Sequence, residues 1–300
     1  MVSMIKRLAA MAARGPAFSQ LVASLERADR HRPNLLRVLI YHRVAAVDAQ
    51  PHLGDRLISA TPENFDRQMA YLAANYHVLS MHDVLRLHRE RLPFPARAVS
   101  ITFDDAYRDF EENAWPVLQR YGLSATLFVP TAFPDRPERT FWWDHLHHAF
   151  YATDRQEGLN TPLGRFSLST AEQRFEACDR LVDYVKSLPH HAAMALVDRI
   201  CDALGEPEAD NQVLGWKALR RLTRKGVTLG AHTRTHPMLN RLPLDEARAE
   251  AIASLRDLQR EVGTVLPIFA YPAGGHDPGV VDALQRDGFE LAFTTLPGMN

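Results

Sequence analysis

The hydrophobic residues of this chain form short apolar runs separated by longer stretches with helical periodicity. Runs at 99–103 and 227–231 have the length of buried strands. Between such runs, apolar residues recur every three or four positions, as in the helix that Thr61 caps and Pro62 opens. Strands that alternate with helices favour parallel pairing through βαβ crossovers. The pattern therefore predicts an α/β fold with about seven strands, at residues 37–41, 77–79, 98–103, 125–129, 227–231, 267–271 and 289–294.

The stretch from about residue 133 to 214 interrupts this alternation. It has no convincing strand pattern, but apolar residues recur at helical spacing within 181–188 and 196–204. We interpret the stretch as a helical insertion in the α/β domain, placed to shape the substrate mouth. Its histidine pairs, His147-His148 and His190-His191, are expected to face solvent.

Residues 1–32 have the pattern of an amphipathic basic helix, which Pro16 interrupts. Such a helix either packs on the domain or contacts a membrane surface. We therefore divide the chain into an N-terminal helical extension, residues 1–34, and one α/β domain, residues 35–300. The extension lacks the continuous apolar segment of a signal peptide, which predicts a cytoplasmic location, with peripheral membrane association as the alternative. No apolar run is long enough to be a transmembrane segment.

Composition narrows the functional classes. Apolar residues make up 46% and charged residues 24% of the chain, as in an ordinary globular protein. The formal net charge of −1 gives no electrostatic basis for a nucleic acid as the main partner. The two cysteines, Cys178 and Cys201, lack metal-ligand spacing and are too few for a disulfide framework.

Two polar segments supply the candidate chemistry. Asp104 and Asp105 follow one predicted strand, and His232 and His236 follow another. The carboxyl ends of parallel strands carry the functional loops in α/β folds. One aspartate with two histidines can hold a catalytic Zn²⁺ or Fe²⁺, which leaves the other aspartate as a base for metal-bound water. Because Pro237 disfavours helical geometry before it, we expect both imidazoles on a loop. The structural alternative is that the Asp-Asp pair caps a helix.

The segments Thr-Phe-Asp-Asp-Ala-Tyr (102–107) and His-Thr-Arg-Thr-His-Pro (232–237) resemble the first two signature motifs of the polysaccharide deacetylases, the NodB-homology carbohydrate esterases. Segments 39–44, 124–129 and 269–275 are similar to further motifs of that family, in the same order. The resemblance implies a deformed (β/α) barrel of about seven parallel strands. It also implies a divalent metal, zinc in most members, with Co²⁺ or Fe²⁺ as alternatives.

Carried over position by position, the resemblance makes Asp105, His232 and His236 the metal ligands and Asp104 the general base. The family reaction is hydrolysis of an N-acetyl, sometimes O-acetyl, group on a sugar. An N-acetylated saccharide is therefore the expected partner. In this reaction the metal polarises the acetyl carbonyl while the base removes a proton from the attacking water.

The resemblance also suggests residues on the substrate side of the site. Tyr271, Pro272 and Ala273 belong to the family's third motif, and the backbone N–H of Ala273 would be the second donor to the oxyanion. His42 follows the first predicted strand and would lie beside them.

Three departures from the family pattern bear on catalysis. Ala106 stands where the family usually has glycine, which costs energy if the position needs a positive φ. Ala270 replaces an arginine that orients the base in many members. A late leucine–histidine motif supplies the family's general acid and has no match after the last predicted strand, so His276 and His42 are the candidate substitutes.

The main hypothesis is a metal-dependent carbohydrate N-deacetylase, a hydrolase of carbon–nitrogen bonds other than peptide bonds. A second hypothesis is a degenerate deacetylase-like protein that binds a glycan or a protein partner without turnover. A third keeps the fold and the metal but hydrolyses a non-sugar cyclic amide.

Overall fold

The computed structural model describes residues 34–46, 57–155, 157–205 and 211–296. The amphipathic helix expected in residues 1–32 lies outside these ranges, so its assignment stays a prediction. None of the helices in the described ranges combines the length and the apolar character needed to cross a bilayer.

The described residues form eleven strands and nine α-helices in the order expected for an α/β domain with an insertion. The strands are β1 Leu36–Tyr41, β2 Arg43–Val44, β3 Ile58–Ala60, β4 His77–Val78, β5 Ala98–Phe103, β6 Thr126–Val129, β7 Leu159–Thr161, β8 Gly164–Phe166, β9 Thr228–Ala231, β10 Ile268–Ala270 and β11 Leu291–Phe293. The helices are α1 Pro62–Asn75, α2 Met81–Arg89, α3 Trp115–Arg120, α4 Trp142–Ala152, α5 Ala171–Ser187, α6 His190–Leu204, α7 Trp216–Arg224, α8 Leu244–Val262 and α9 Pro278–Arg286.

Seven of the described strands, all parallel, form the main sheet in the order β1-β5-β6-β9-β10-β11, with β4 beside β5. Strand β5 pairs with β1 along its whole length, from Leu36 opposite Ala98 to Tyr41 opposite Phe103. Its other edge is shared by β4 at its first residues and β6 at its last. This sheet and its surrounding helices form a deformed (β/α) barrel, as the sequence resemblance implied.

Aromatic packing supports the carboxyl end of β5, where the candidate site lies. Phe103 stacks on Tyr41 with ring centroids 5.2 Å apart and meets Phe110 edge-on at 4.8 Å. Phe65 of α1 closes the cluster at 5.8 Å from Phe103. Burial of one such side chain stabilises the fold by about 1.5–3 kcal/mol, so the strand end is firmly held.

The segment after β5 differs from its sequence prediction. The sequence predicts a helix from about 107 to 121 that is kinked or restarted at Pro116 and stops at Gly122. The structure has instead a π-helical turn at Phe110–Ala114, after which α3 begins at Trp115, beside the predicted restart. Pro116 lies in the first turn of α3, where a missing N–H is tolerated. Gly122, with φ +64°, follows the end of α3 as predicted.

The insertion is helical in its main parts but not throughout. Helices α4, α5 and α6 pack together around a hydrophobic core of their own. The expectation that the insertion has no strand is wrong, because β7 and β8 form an antiparallel hairpin with Leu159 opposite Phe166. Each of these strands has three residues, too few for alternation to stand out in the sequence.

Candidate metal centre and active site

Asp105, His232 and His236 come together at the carboxyl ends of β5 and β9. One potential ligand atom from each lies within 4.8 Å of the others. The Oδ1 atom of Asp105 is 3.5 Å from Nε2 of His232 and 3.1 Å from Nε2 of His236. The two Nε2 atoms are 3.1 Å apart. A carboxylate and two imidazoles that converge in this way fit a divalent metal with coordination positions left open.

A sharp backbone turn directs Asp105 toward the histidines. The N–H of Asp104 still donates to the carbonyl of Tyr41, at 2.9 Å, as the last rung between β5 and β1. The next two residues are left-handed, with φ +69° at Asp105 and +53° at Ala106. An L-residue in this conformation costs about 1–2 kcal/mol, so Ala106 occupies a position suited to glycine, as the sequence comparison suggested.

The second backbone segment presents the two imidazoles from a loop, as predicted. Nδ1 of His232 lies 2.8 Å from the carbonyl oxygen of Ala270. That oxygen can only accept, so Nδ1 carries the proton and Nε2 keeps its lone pair for a metal. His236 has φ +63°, and its N–H donates to Oγ1 of Thr233 at 3.0 Å.

Two carboxylates of α8 anchor this loop, and sequence reasoning missed both. Glu250 accepts the backbone N–H groups of Arg234 and Thr235, each at 2.8 Å, and the Thr235 hydroxyl at 2.9 Å. Asp257 accepts the Thr131 hydroxyl at 2.9 Å and Nε of Arg234 at 3.0 Å. The seven-residue spacing of the two acids beside the apolar stripe of α8 is the signal that could have indicated them.

The two adjacent aspartates are electrostatically different. Burial raises the pKa of Asp104, and the nearby charges of His232 and His42 oppose the rise only in part. Burial would also raise the pKa of Asp105, but attraction from His236 and hydrogen bonds from both imidazoles hold it below its ordinary value. Environments that separate two carboxyl pKa values in this way favour one proton acceptor and one permanently ionised ligand.

A cavity of about 350 Å³ opens beside this cluster. Of the substrate-side candidates, His42 and Ala273 line it together with Asp105. Tyr271 and Pro272 are buried and form the turn that carries Ala273.

Two further candidates do not line the cavity. Asp104 is 6% exposed, and its buried Oδ1 atom has no hydrogen-bond partner within the described part of the chain. The His276 side chain packs against the preceding turn. Its Nδ1 atom is 2.8 Å from the carbonyl oxygen of Gly274, and its ring centroid is 5.2 Å from that of Tyr271. The structure therefore favours His42 over His276 as the histidine that can reach a substrate.

A buried network behind the cavity was not predicted from the sequence. The hydroxyl of Tyr107 donates to Oδ2 of Asp144 at 2.9 Å and accepts from Nε1 of Trp143 at 3.0 Å. The guanidinium of Arg43 lies 4.3 Å from the centre of the Tyr107 ring and forms an ion pair with Asp109 at 2.8 Å. Burial raises the pKa of Asp144 to about 7.

Aromatic residues of the insertion pack on the metal cluster. The Trp143 and Phe141 rings lie 4.6 Å and 5.5 Å from the ring of His236. The expectation that the insertion histidines face solvent is wrong for His147, which is buried because α5 and α6 cover α4. His190 is half-buried, and both of these histidines line the cavity.

The chain also matches known proteins. A family model described as polysaccharide deacetylase matches residues 91–152 and 172–292, more than half of the chain. The poly-beta-1,6-N-acetyl-D-glucosamine N-deacetylase of Staphylococcus epidermidis is 32% identical over 111 residues, which are 34% of this chain and 38% of that protein.

Solved structures show the same fold at low sequence identity. The Streptococcus pyogenes deacetylase PplD in complex with acetate has a TM-score of 0.58 at 21% identity, with 89% of this chain and 87% of that chain covered. IcaB from Ammonifex degensii has a TM-score of 0.56 at 18% identity, with 87% and 84% covered. The chain therefore belongs to the polysaccharide deacetylase family, and it is a hydrolase of carbon–nitrogen bonds other than peptide bonds.

Proposed function

We propose that this protein removes N-acetyl groups from a saccharide and that a divalent metal held by Asp105, His232 and His236 takes part. The observation that carries the proposal is the convergence of these three ligand atoms beside a cavity. The donor set fits Zn²⁺ best, with Co²⁺ and Fe²⁺ as alternatives. When bound, the metal would polarise the acetyl carbonyl and make water more acidic.

Asp104 is the proposed general base. Its carboxylate is buried next to the ligand Asp105, and its Oδ1 atom has no hydrogen-bond partner among the described residues, so its proposed role is to accept a proton from water held at the ligand cluster. The raised pKa of Asp104 favours this role, because the group can then hold the proton until it is passed on. The N–H of Ala273, on the cavity wall, is the proposed donor to the developing oxyanion.

His42 is the proposed donor of a proton to the leaving amine. It follows β1 and lines the same cavity as Asp105, and its charge acts on both aspartates. Its backbone N–H donates to Oγ of Ser59 at 2.9 Å, which fixes this residue at the cavity wall. His276, the other sequence candidate, has its Nδ1 atom engaged with Gly274.

The substrate class rests on relatives as well as geometry. The Staphylococcus epidermidis relative is named for deacetylation of poly-beta-1,6-N-acetyl-D-glucosamine. An N-acetylated hexosamine is therefore the first substrate to test. The cyclic-amide hypothesis becomes an outcome of the same experiment.

The experiment measures acetate release from β-1,6-linked N-acetylglucosamine oligomers by purified protein with Zn²⁺ or Co²⁺. Asp104→Asn should lower the rate by about 10²–10⁴-fold and keep the metal, whereas Asp105→Ala should lose the metal. His42→Ala should also lower the rate strongly, and the matched His276→Ala variant should not. Metal binding without acetate release from N-acetylated saccharides would overturn the proposal. Release from cyclic amides alone would select the third hypothesis.

A further inference from the structure

The cavity beside the metal cluster has two chemically different sides. The barrel contributes Asp105 and His42 on one side. The insertion contributes an apolar wall on the other, from the start of α4, the end of α5 and the first turns of α6. Side chains of this wall are Trp142, Val182, Val185, Leu188, Ala193 and Met194.

The apolar side chains of this wall are not all needed to fill the core of the insertion. The insertion core is complete without Trp142, Leu188 and Met194, which pack on its edge. All three remain half-buried while they line the cavity, so they keep apolar surface for a ligand. An N-acetylated sugar carries hydroxyl groups on most of its surface and does not by itself require an aliphatic wall. Transfer of an apolar part of a ligand from water onto such a wall is favourable.

Positive charge accompanies the apolar wall. Lys186 of α5 and Arg241 line the same cavity, and Asp105 is the only carboxylate among the described residues that line it. Arg241 makes no ion pair or side-chain hydrogen bond with the described part of the chain. A cationic rim on a chain with a net charge of −1 favours an anionic ligand group at this place.

We propose that the insertion side of the cavity binds an apolar chain joined to the acetylated sugar through an anionic group, as in a lipid-phosphate-linked saccharide. This inference rests on the proposed deacetylase function and specifies its substrate. The acetyl group faces the metal cluster, the anionic link meets Arg241 and Lys186, and the start of the apolar chain lies against Leu188 and Met194. Lipid beyond the cavity stays outside it, since about 350 Å³ is at the small end of ligand sites.

The test compares acetate release from three probes: N-acetylglucosamine, its octyl glycoside, and N-acetylglucosamine joined through a phosphodiester to a ten- to fifteen-carbon prenyl chain. The prenyl phosphodiester should have a KM at least about tenfold below that of the free sugar, with the octyl glycoside between them. Arg241→Ala should bring the KM of the prenyl phosphodiester closer to that of the octyl glycoside. Met194→Ser should bring the KM values of the prenyl phosphodiester and the octyl glycoside closer to that of the free sugar. Arg224→Ala, an exposed arginine outside the cavity, is the matched control and should change neither ratio.

Inhibition by compounds that are not substrates tests the apolar part and the anionic part of the proposed ligand separately. Octyl phosphate, below its micelle concentration, should inhibit acetate release competitively and at least about tenfold more strongly than inorganic phosphate or octyl glucoside. Equal inhibition by octyl phosphate and inorganic phosphate would overturn the apolar part. A preference for long β-1,6 oligomers over the prenyl phosphodiester would overturn the substrate class and leave the deacetylase function standing. No acetate release from any of these substrates would instead overturn the proposed function.

Discussion

Replacement of Glu250 should weaken metal binding although this residue does not touch the metal site. The loop that carries the histidines holds two left-handed residues, Thr233 at φ +62° and His236 at φ +63°. Each costs about 1–2 kcal/mol, or about 2–4 kcal/mol for the pair. The carboxylate of Glu250 accepts three hydrogen bonds from Arg234 and Thr235 of this loop. Hydrogen bonds to a half-buried carboxylate contribute about 1 kcal/mol each, so their sum, about 3 kcal/mol, offsets the strain.

Glu250→Ala removes all three acceptor contacts, and the loop should relax away from its strained conformation. His236 then leaves its position opposite Asp105, and we expect the affinity for Zn²⁺ or Co²⁺ to fall about 10–100-fold. Glu250→Gln keeps one carbonyl oxygen for the two backbone N–H groups and should lose less than about tenfold. Competition with a chelating dye measures both affinities without reference to catalysis.

The matched control is Glu246→Ala, one turn earlier on the same helix. Glu246 is exposed and contacts His191 at 3.2 Å, away from the strained loop. Its removal should leave metal affinity within about twofold of the starting protein, as expected for an exposed pair. Wild-type affinity in Glu250→Ala, or an equal loss in Glu246→Ala, would refute the argument that Glu250 offsets the loop strain.

Three further changes have defined outcomes. Asp109→Ala leaves the buried Arg43 without its carboxylate and should lower the free energy of unfolding by about 3–5 kcal/mol in urea titrations; a loss below about 1 kcal/mol would contradict this. Burial raises the pKa of Asp144 from 3.8 to about 7. The stability that depends on the protonated Asp144 carboxyl is therefore fully present below pH 3.8 and is lost as the pH rises to about 7. Asp144→Asn cannot ionise and should therefore gain stability over wild type between pH 5 and pH 8 in chelator-treated protein, whereas a pH-independent difference would exclude this cause. Gly230→Ala would press a methyl group onto the Phe128 ring and should lower the free energy of unfolding by about 1–3 kcal/mol, while an unchanged melting temperature would show that the ring can move aside.

The metal cluster was predictable because parallel strands align their carboxyl ends. Asp105 follows β5 and His232 follows β9, with only β6 between them in the sheet. The apolar runs identified those strands, and the polar residues directly after them therefore had to meet at one edge. The positive φ of Ala106 was predictable for a different reason: the family usually has glycine at this position, and glycine is common where φ is positive.

The surroundings of the cluster could not be read from the sequence in the same way. Trp143 contacts His236 because the insertion folds back over the barrel, and no local periodicity encodes that packing. Glu250 resembles any charged residue on the solvated face of a helix until the loop beside it is located. Local patterns specify which residues begin and end an element, whereas such contacts depend on how distant elements pack.

The distribution of left-handed residues links the stability of the fold to the site. Five of the nine non-glycine residues with positive φ in the described part of the chain lie in the loops after β5, β9 and β10: Asp105, Ala106, Thr233, His236 and Ala273. At about 1–2 kcal/mol each, their combined cost of about 5–10 kcal/mol is comparable to the whole net stability of a typical domain. Such strain persists only where surrounding contacts over-determine the conformation. The rung from Asp104 to Tyr41 and the hydrogen bonds of Glu250 are contacts of this kind, so loss of an anchor should alter the metal site before it unfolds the barrel.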